Sequence, residues 1–482
     1  MRSLEPGETW AWCYVDRRGF EHAEAAPIDS EVSIAAVRQS GRPFVDALYR
    51  EFLARGVEYF FPTTRLEVIA PAATSGSAPS GRRGDDPIEF EWLGFHYRVS
   101  SDERPFSSEQ TRLLQSIRQV LGARFDILFD AAVAAQSLHL FRGLPEDRFV
   151  SAFLDSATYA DVKAPTRLLD RVAEAIEVLR LSALSTHENR RIETGVLLFG
   201  TTPDPCHVLP PRPVDALPYA SGLTAIRSFH RLCDGLKTVA IVDQDGLLVE
   251  VADIQEWAAP FADRAVPVPT VGRYRAHCRA TLCGGHICLV LTPNGEIKIF
   301  AEGAQVFGFR DGRWHLSDLR EKFDLWRRGF ADDRMAELLF TVALELAEDR
   351  RGALFVVLDD ATDATRVLAE SDLLRGPDGA QAGGSKQQLH YLLRDTSLGT
   401  IAPAVLETVA RIDGAIVFDP TGNLLAFGAI LHHQGGGDRP LAAAEGGRTT
   451  AALGASRFGK VLMISEDGGI SYMHQGHRIW QL

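Results

Sequence analysis

The segments DGAIVFD (residues 413–419), GGRTTAA (446–452) and VLMISED (461–467) decide the expected fold of this chain. The first and third are apolar runs bounded by acidic residues, a pattern typical of buried β-strands. The second is a glycine-rich turn that places Arg448 at the start of a predicted helix. Glycines let a backbone approach a ligand closely, and the planar guanidinium group of arginine matches the geometry of a phosphate. We therefore expect two strands joined through a phosphate-binding turn.

This pattern resembles the nucleotide-binding half of diadenylate cyclase (DAC) domains. In that family an Asp-Gly-Ala motif is followed by Gly-Thr-Arg-His-Arg-Ala-Ala and then by a strand that ends in Ser-Glu-Glu. The first motif is complete here and the last has Asp467 as a conservative replacement; the matching residues are Asp413, Gly414, Ala415, Ser465 and Glu466. In the middle motif Arg448 is retained, whereas Gly447, Thr449 and Thr450 replace Thr, His and the second Arg. The resemblance begins at residue 351 (RGALFVV) and covers about 130 residues, the length of one domain.

The resemblance implies chemistry on ATP. Two ATP molecules become cyclic di-AMP when each 3′-hydroxyl attacks the α-phosphate of the other nucleotide, with a metal ion and basic groups neutralising the charge. By the resemblance, Asp413 orients the hydroxyl or holds Mg²⁺ or Mn²⁺ if the protein is catalytic. Gly414 and Ala415 let the backbone approach the nucleotide. The resemblance assigns the phosphate contacts to the glycine-rich turn, with Gly447, Arg448, Thr449 and Thr450. It assigns the contacts at the base or metal side of the site to Ser465 and Glu466, at the end of the last strand.

The two threonines affect expected catalysis more than expected binding. One charged hydrogen bond to a phosphate contributes about 1.5–3 kcal/mol, and a transition-state arginine contributes roughly 10³-fold or more in rate. Thr449 and Thr450 supply neither charge. We therefore predict a nucleotide-binding sensor or regulatory module for ATP or a cyclic dinucleotide. The alternatives are an active diadenylate cyclase and a non-catalytic scaffold that keeps the fold only for packing.

An internal repeat precedes the C-terminal domain. Predicted helices at 172–181 and 223–232 match those at 335–348 and 404–410. Further matched segments follow these helices in the same order in both copies. The strand-like segments GVLLF (195–199) and VAIVDQDG (239–246) match GALFV (352–356) and AIVFDPTG (415–422). After them, GRYR (272–275) matches GRTT (447–450), the hairpin at 293–295 matches that at 468–469, and DGRW (311–314) matches GHRIW (476–480). Such an ordered series predicts a duplicated fold.

The two copies differ at the expected site. Lys237 and Thr238 stand in the first copy where Asp413 and Gly414 stand in the second. The first copy instead keeps two basic residues, Arg273 and Arg275. A further interpretation is therefore that one of these arginines completes the site around Asp413, which requires the two copies to face each other.

The fold class expected for the whole chain is α/β, with a mixed sheet flanked by helices in each repeat and an α/β N-terminal domain. The predicted domains are an N-terminal, sensor-like domain (1–150), a degenerate DAC-like repeat (151–325) and a DAC-like nucleotide-binding domain (326–482). Residues 375–386 form an insertion-like loop in the last of these.

The N-terminal domain alternates strand and helix patterns. Strands are predicted at 9–15 and 88–92, a helix at 32–53, and a small polar loop at 72–86. A capping box of Ser107 and Gln110 starts a further helix. The segment from 104 to 125 resembles the closing helix of GAF sensor domains, although an ordinary amphipathic helix is the simpler interpretation.

Composition excludes several classes of protein. A net charge of −13 argues against a nucleic-acid surface, which needs clustered Lys and Arg. Apolar runs are too short to span a membrane and the first residues carry no signal-peptide pattern, so a cytoplasmic protein is expected. Six cysteines without a regular framework fit a reducing compartment. The DAC resemblance also implies a homo-oligomer, because cyclases of that family work across facing protomers.

A zinc site was considered for the run His277, Cys278, Cys283, His286 and Cys288. The cysteines are spaced by five residues and lack the paired knuckles of structural zinc sites. Cysteines in an apolar strand usually serve as small core residues, which is the interpretation adopted here. The sequence also has no phosphate loop of the Gly-x-x-x-x-Gly-Lys type and no Gly-x-Ser-x-Gly elbow.

Overall fold

The computed structural model describes residues 34–71, 87–101, 104–129, 138–160, 170–187, 190–204, 206–226, 228–374, 387–432 and 446–482. The chain forms two compact units, Met1–Leu48 and Tyr49–Leu482. In the first unit the described residues belong to one helix. The strand predicted at 9–15 and the loops predicted at 72–86 and 375–386 lie outside the described residues.

The helices are α1 (Ile34–Phe60), α2 (Ser108–Phe129), α3 (Pro145–Leu154), α4 (Ala157–Ala160), α5 (Arg171–Ala183), α6 (Ile254–Ala258), α7 (Arg275–Ala280), α8 (Leu319–Arg327), α9 (Asp333–Glu348), α10 (Ala364–Val367), α11 (Pro403–Ala410) and α12 (Gly447–Ala455). In the described part of the chain, none of them combines the length and the apolar character needed to cross a membrane.

The strands are β1 (Thr64–Pro71), β2 (Ile88–Trp92), β3 (Phe95–Ser101), β4 (Thr186–His187), β5 (Arg190–Arg191), β6 (Thr194–Leu198), β7 (Thr238–Val242), β8 (Leu248–Asp253), β9 (Ile287–Leu291), β10 (Ile297–Ala301), β11 (Ala304–Arg310), β12 (Arg313–Leu316), β13 (Ala353–Leu358), β14 (Ala415–Phe418), β15 (Leu424–Ala429), β16 (Gly459–Ile464), β17 (Ile470–His474) and β18 (His477–Gln481). They build an antiparallel sheet β1-β3-β2, two large mixed sheets and the small pair β4-β5.

The capping box at the start of α2 is confirmed. The Ser107 amide donates to Oε1 of Gln110 at 2.9 Å, and the Gln110 amide donates to the Ser107 hydroxyl at 3.0 Å. This reciprocal pair satisfies two amides that the first helical turn leaves without partners. Behind the capping box, one apolar face of α2 is buried, and its members are Leu113, Leu114, Ile117, Val120 and Leu121. The strand predicted at 88–92 is also confirmed, as β2.

The two large sheets have equivalent topology. The first has the order β12-β11-β10-β9-β6-β7-β8 and the second has the order β18-β17-β16-β13-β14-β15. In each, the first strand pairs in parallel with the second strand and antiparallel with the fourth: β6 with β7 and β9, and β13 with β14 and β16. This equivalence supports the predicted duplication, and the α/β class with helices on mixed sheets is confirmed.

Two details of the predicted repeat are wrong. No continuous helix covers 223–232; the described residues form two 3₁₀ turns, Ser221–Ala225 and Phe229–Arg231. The Thr224 hydroxyl donates to the Ser221 carbonyl at 2.7 Å, and the His230 ring bonds the Thr224 carbonyl at 3.1 Å. These side chains occupy carbonyls that an α-helix would use.

The second error concerns the tails. The turn before β18 corresponds in topology to the turn between β10 and β11, because β17 is the counterpart of β10. The match of 311–314 with 476–480 is therefore displaced by one strand, and β12 is an extra edge strand of the first copy. The turns at 302–303, 311–312 and 475–476 all have two successive residues with positive φ. This shared local pattern explains why 311–314 was matched to 476–480.

The core joins the two copies. Leu197 of β6 and Phe355 of β13 belong to one contiguous buried cluster together with Leu339 and Phe340 of α9. Leu354, Val356 and Leu358 alternate with this set along β13 and face a second cluster that includes Ala452 of α12. This period of two, with both faces buried, explains why β13 reads as an unbroken apolar run.

Candidate functional site

Three strands of the second sheet end at one place. The parallel pair β13 and β14 aligns Leu354 with Ala415, and the antiparallel pair β13 and β16 aligns Ala353 with Ile464. The segments before β13 and β14 therefore lie at the same end of the sheet as the segment after β16. The fold brings together Gly352, the Asp413-Gly414 pair and the Ser465-Glu466 pair.

Arg448 reaches this end from helix α12. The helix starts at Gly447, and the amides of Thr449 and Thr450 donate to the Gly446 carbonyl at 2.9 and 3.2 Å. The guanidinium group of Arg448 lies 3.8 Å from the Glu466 carboxylate. It also lies against Gly352, where an added β-carbon would overlap Nη1 of Arg448 and lie 3.0 Å from its Cζ. Gly352 thus provides the surface on which the arginine rests.

The Arg448–Glu466 pair is weak and open to solvent. The Arg448 side chain is 41% exposed and that of Glu466 is 76% exposed. An exposed ion pair of this kind contributes at most about 1 kcal/mol. A phosphate can therefore compete for the guanidinium group, and it would also meet the positive end of α12.

Gly414 is required by the strand pairing itself. Its φ is 118°, and an added β-carbon would overlap the carbonyl carbon of Gly428 in β15 and lie 2.6 Å from its oxygen. The preceding residue, Asp413, is exposed, whereas Ala415 is buried in β14. The carboxylate of Asp413 therefore faces solvent at the edge of a rigid turn.

Ser465 belongs to a hairpin turn. Its hydroxyl donates to the Asp467 carboxylate and accepts from the Gly469 amide at 3.2 Å. The Gly469 amide also donates to Asp467 at 3.1 Å. These hydrogen bonds lower the pKa of Asp467, with the Ser465 hydroxyl as the largest cause. The serine fixes the turn that presents Glu466, the exposed residue beside it.

Arg273 lies in the interface between the copies. Its guanidinium group binds Asp349 at 2.6 Å, and Asp349 also accepts from Arg411 at 3.2 Å. Arg411 stands two residues before Asp413, so the first copy reaches the edge of the site through a shared carboxylate and not through Asp413 itself. Arg275 is exposed, and within the described residues it has no hydrogen-bond or ion-pair partner.

Asp413 fits a metal ion only together with a nucleotide. Mg²⁺ and Mn²⁺ prefer oxygen ligands, and Mg²⁺ is commonly held by one or two carboxylates plus substrate phosphates. Glu466 is a second exposed carboxylate at this end. It follows β16, two strand spacings from β14, a separation of roughly 10 Å. Asp413 would therefore be the protein ligand of an ion whose remaining ligands are phosphate oxygens and water.

The His and Cys residues between 277 and 288 do not form a zinc site, in agreement with their interpretation as core residues. Cys278 and Cys288 are fully buried core residues, as expected, and His277 bonds the Gly235 carbonyl at 2.8 Å. Among the described residues, the group close enough to hold a metal is Asp204, His207 and His286.

Hydrogen bonding argues against a metal at this histidine cluster. The Gly200 amide donates to Nδ1 of His286 at 2.9 Å, which leaves the proton on Nε2, 2.8 Å from the Asp204 carboxylate. A metal-binding histidine normally donates from its second nitrogen. Asp204 also faces Nδ1 of His207 at 2.7 Å, and its hydrogen bonds lower its pKa to about 2 against the opposing effect of burial. The cluster is therefore a hydrogen-bonded network centred on the Asp204 carboxylate.

Three residues of the site were not predicted from the sequence. Gly352 stood within the quoted motif but had no role, and the shared carboxylate of Asp349 and the partner role of Arg411 were not foreseen. The glycine had a local signal, because it directly precedes a buried strand. The other two depend on how the copies pack.

Comparison with known proteins identifies no family for this chain. No family model matches the chain, and no curated protein matches it. Among solved structures, a hypothetical membrane spanning protein from Bacillus cereus is 17% identical, with a TM-score of 0.24, over 33% of this chain and 68% of that one. A double mutant of DacA from Staphylococcus aureus is 21% identical, with a TM-score of 0.19, over 31% of this chain and 87% of that one. At such scores neither similarity carries an argument about fold or function.

Proposed function

We propose that residues 326–482 bind a nucleotide, ATP or a cyclic dinucleotide, at the strand ends of the second sheet, and that the protein acts as a regulatory module. The observation that carries the proposal is the position of Arg448. Its guanidinium group lies over the bare backbone of Gly352 at the start of α12, held by one loose ion pair. A phosphate can take that place without moving the backbone.

The other residues suit the two ends of such a ligand. Phosphate oxygens would meet Arg448 and the first turn of α12. Asp413 would hold Mg²⁺ or Mn²⁺, which would neutralise phosphate charge, or would accept a hydrogen bond from a ribose hydroxyl. Glu466 would lose its arginine partner and become available to the base or sugar. The residues are those that match the DAC motifs.

Regulation is favoured over catalysis by the first turn of α12. Thr449 and Thr450 are half-buried and uncharged, where the DAC motif has His and Arg. Both amides are occupied by the Gly446 carbonyl. Arg448 is then the single cation that this turn offers to a phosphate, which suffices for binding but leaves the charge of a transition state poorly neutralised.

The test combines binding and turnover. The purified chain is incubated with labelled ATP and Mg²⁺ or Mn²⁺, and with cyclic di-AMP, and both bound nucleotide and product are measured. Variants are Asp413→Asn and Arg448→Ala, with the exposed Arg334→Ala as the matched control. Binding that is lost in Arg448→Ala, kept in Arg334→Ala and not followed by product supports the proposal.

Two other outcomes would change the assignment. Cyclic di-AMP that forms with the unaltered chain and vanishes with Asp413→Asn would make the protein a diadenylate cyclase. Neither binding nor product would leave a scaffold. The DAC resemblance also implies a homo-oligomer, which sedimentation with and without nucleotide would examine.

A further inference from the structure

A cleft with about 150 Å³ of free volume lies between the two copies. The first copy contributes β10 to β12 and α8, including Arg310, His315 and Lys322. The second contributes the end of α9 and the hairpin turn at Asp467 and Gly468. This cleft is smaller than the 300–1,000 Å³ typical of sites for drug-sized ligands. Its size suits a small ion.

The glutamates of the cleft are already neutralised. Glu348 binds Nζ of Lys298 at 2.7 Å and Glu296 pairs with Arg350. The ion pair and the hydrogen bond with Lys298 keep the pKa of Glu348 below its usual value, although burial opposes them. Lys298 also lies 3.8 Å from the Glu296 carboxylate, so these four groups form one connected network along one wall.

Two cations of the cleft have no carboxylate partner. Arg310 donates to the Gly468 carbonyl at 3.2 Å, and Lys322 donates to the Ser317 carbonyl at 2.7 Å. Among the described residues neither forms an ion pair. Outside this network, the side-chain carboxylate that lines the cleft is that of Asp467, and it already bonds the Ser465 hydroxyl and the Gly469 amide; Leu482, the last residue of the sequence, also lines the cleft.

Lys322 is the more unusual of the two. It is only 7% exposed, and its ammonium group, which has three protons, has one acceptor among the described residues. Burial lowers the pKa of Lys322 to about 8; Asp318 opposes this effect, and Arg104 and Arg310 add to it. Desolvation and the nearby Arg310 and Arg313 lower the pKa of His315 to about 4. Glu109, like Asp318, favours the charged form of Lys322, and Arg310 helps to lower the pKa of Asp467, so carboxylates surround these cations although none forms an ion pair with them among the described residues.

We propose that this cleft binds a small oxyanion of the phosphate class, with Arg310 and Lys322 as its two cationic contacts. The ion would satisfy the remaining donors of Lys322 and offset the repulsion between the cations. It would also lie beside Gly468, in the hairpin turn that carries Ser465 and Glu466. The site is separate from the nucleotide site proposed above and does not depend on it.

The experiment measures binding of inorganic phosphate and of pyrophosphate to the full chain by calorimetry at constant ionic strength. Variants are Arg310→Gln and Lys322→Met, and the control is Arg328→Gln, an exposed arginine at the end of α8. We expect each cleft variant to bind about tenfold more weakly or worse, because each removes a charged hydrogen bond, and the control to bind as before.

Three results would overturn the inference: no binding of either ion, equal binding by Arg310→Gln and Arg328→Gln, or binding lost only in Arg448→Ala. The last result would place the ion at the strand-end site instead. Citrate serves as the comparison ligand, and tighter binding of this tricarboxylate than of either phosphate would reject the phosphate class. If circular dichroism shows that Lys322→Met does not fold, the comparison of Arg310→Gln with Arg328→Gln tests the inference by itself, because Arg310 is only half-buried.

Discussion

Replacement of Gly352 by alanine separates binding from folding at the proposed site. The added methyl group would overlap the guanidinium of Arg448 and lie 3.2 Å from Cγ of Glu466. Both neighbours are ends of long, exposed side chains, so they can move away cheaply. Gly352 is not one of the glycines with positive φ, so alanine introduces no backbone strain there. The fold should therefore tolerate the change.

Nucleotide binding should be weakened by the same change. If Arg448 is displaced, the ligand loses one charge-assisted hydrogen bond, worth about 1.5–3 kcal/mol. At 1.4 kcal/mol for each factor of ten, the affinity falls roughly 10- to 150-fold. Stability should change by less than about 1 kcal/mol, since alanine also restricts the unfolded chain. Calorimetry with ATP and urea unfolding measure the two quantities on the same preparation.

The double variant makes the test specific. If Gly352→Ala acts through the arginine, it should have little further effect on binding in an Arg448→Ala background. Wild-type affinity in Gly352→Ala, beside a clear loss in Arg448→Ala, would refute the contact between the two residues. Additive losses in the double variant would show that the glycine acts on the ligand directly.

Three further predictions concern stability. Gly414→Ala should destabilise the protein by about 3 kcal/mol or more in urea unfolding, because the residue has a φ of 118° and its β-carbon would overlap the Gly428 backbone. Asp170→Asn should cost about 3–5 kcal/mol in the same assay, because it leaves the buried guanidinium of Arg148, now 2.5 Å from that carboxylate, without its counter-charge. The pKa of Lys322 is about 8 in the folded chain and 10.5 in the unfolded chain, so the folded state binds this proton less tightly. The charged lysine therefore lowers the free energy of unfolding by about 3 kcal/mol below pH 8, and this loss disappears as the pH rises to 10.5. The stability difference between Lys322→Met and the unaltered chain should shrink over that interval, and a constant difference would contradict the assigned pKa.

Much of the fold could be predicted from the sequence because its signals are local. The continuous apolar runs predicted β13, β14 and β16, and the reciprocal Ser107–Gln110 pattern predicted the start of α2. The helix predicted at 223–232 was wrong because side-chain hydrogen bonds of Thr224 and His230 compete with the helical pattern. Periodicity records which residues are apolar and not which carbonyls are already occupied.

The candidate site was predictable only as a set of motifs. The sequence shows Asp413, Arg448 and Glu466 as separate residues, and the pairing of three strands places them at one sheet end. The contact between Arg448 and Gly352 depends on that pairing and on the direction of α12. The shared carboxylate of Asp349 depends on packing between the copies, which no local pattern encodes.

The corresponding sheet end of the first copy is closed, and this difference bears on where a ligand can bind. Gly195 matches Gly352, but its face is covered by the backbone of Gly235, whose Cα would lie 2.7 Å from an added β-carbon. The buried ring of His277 bonds the Gly235 carbonyl at 2.8 Å, and the Asp234 carboxylate accepts from the amides of the following turn. A backbone fixed in this way cannot move aside for a ligand, whereas the arginine side chain over Gly352 can. At this end of the fold the proposed nucleotide site is therefore accessible only in the second copy, and the first copy packs against α9 and holds Asp349 through Arg273.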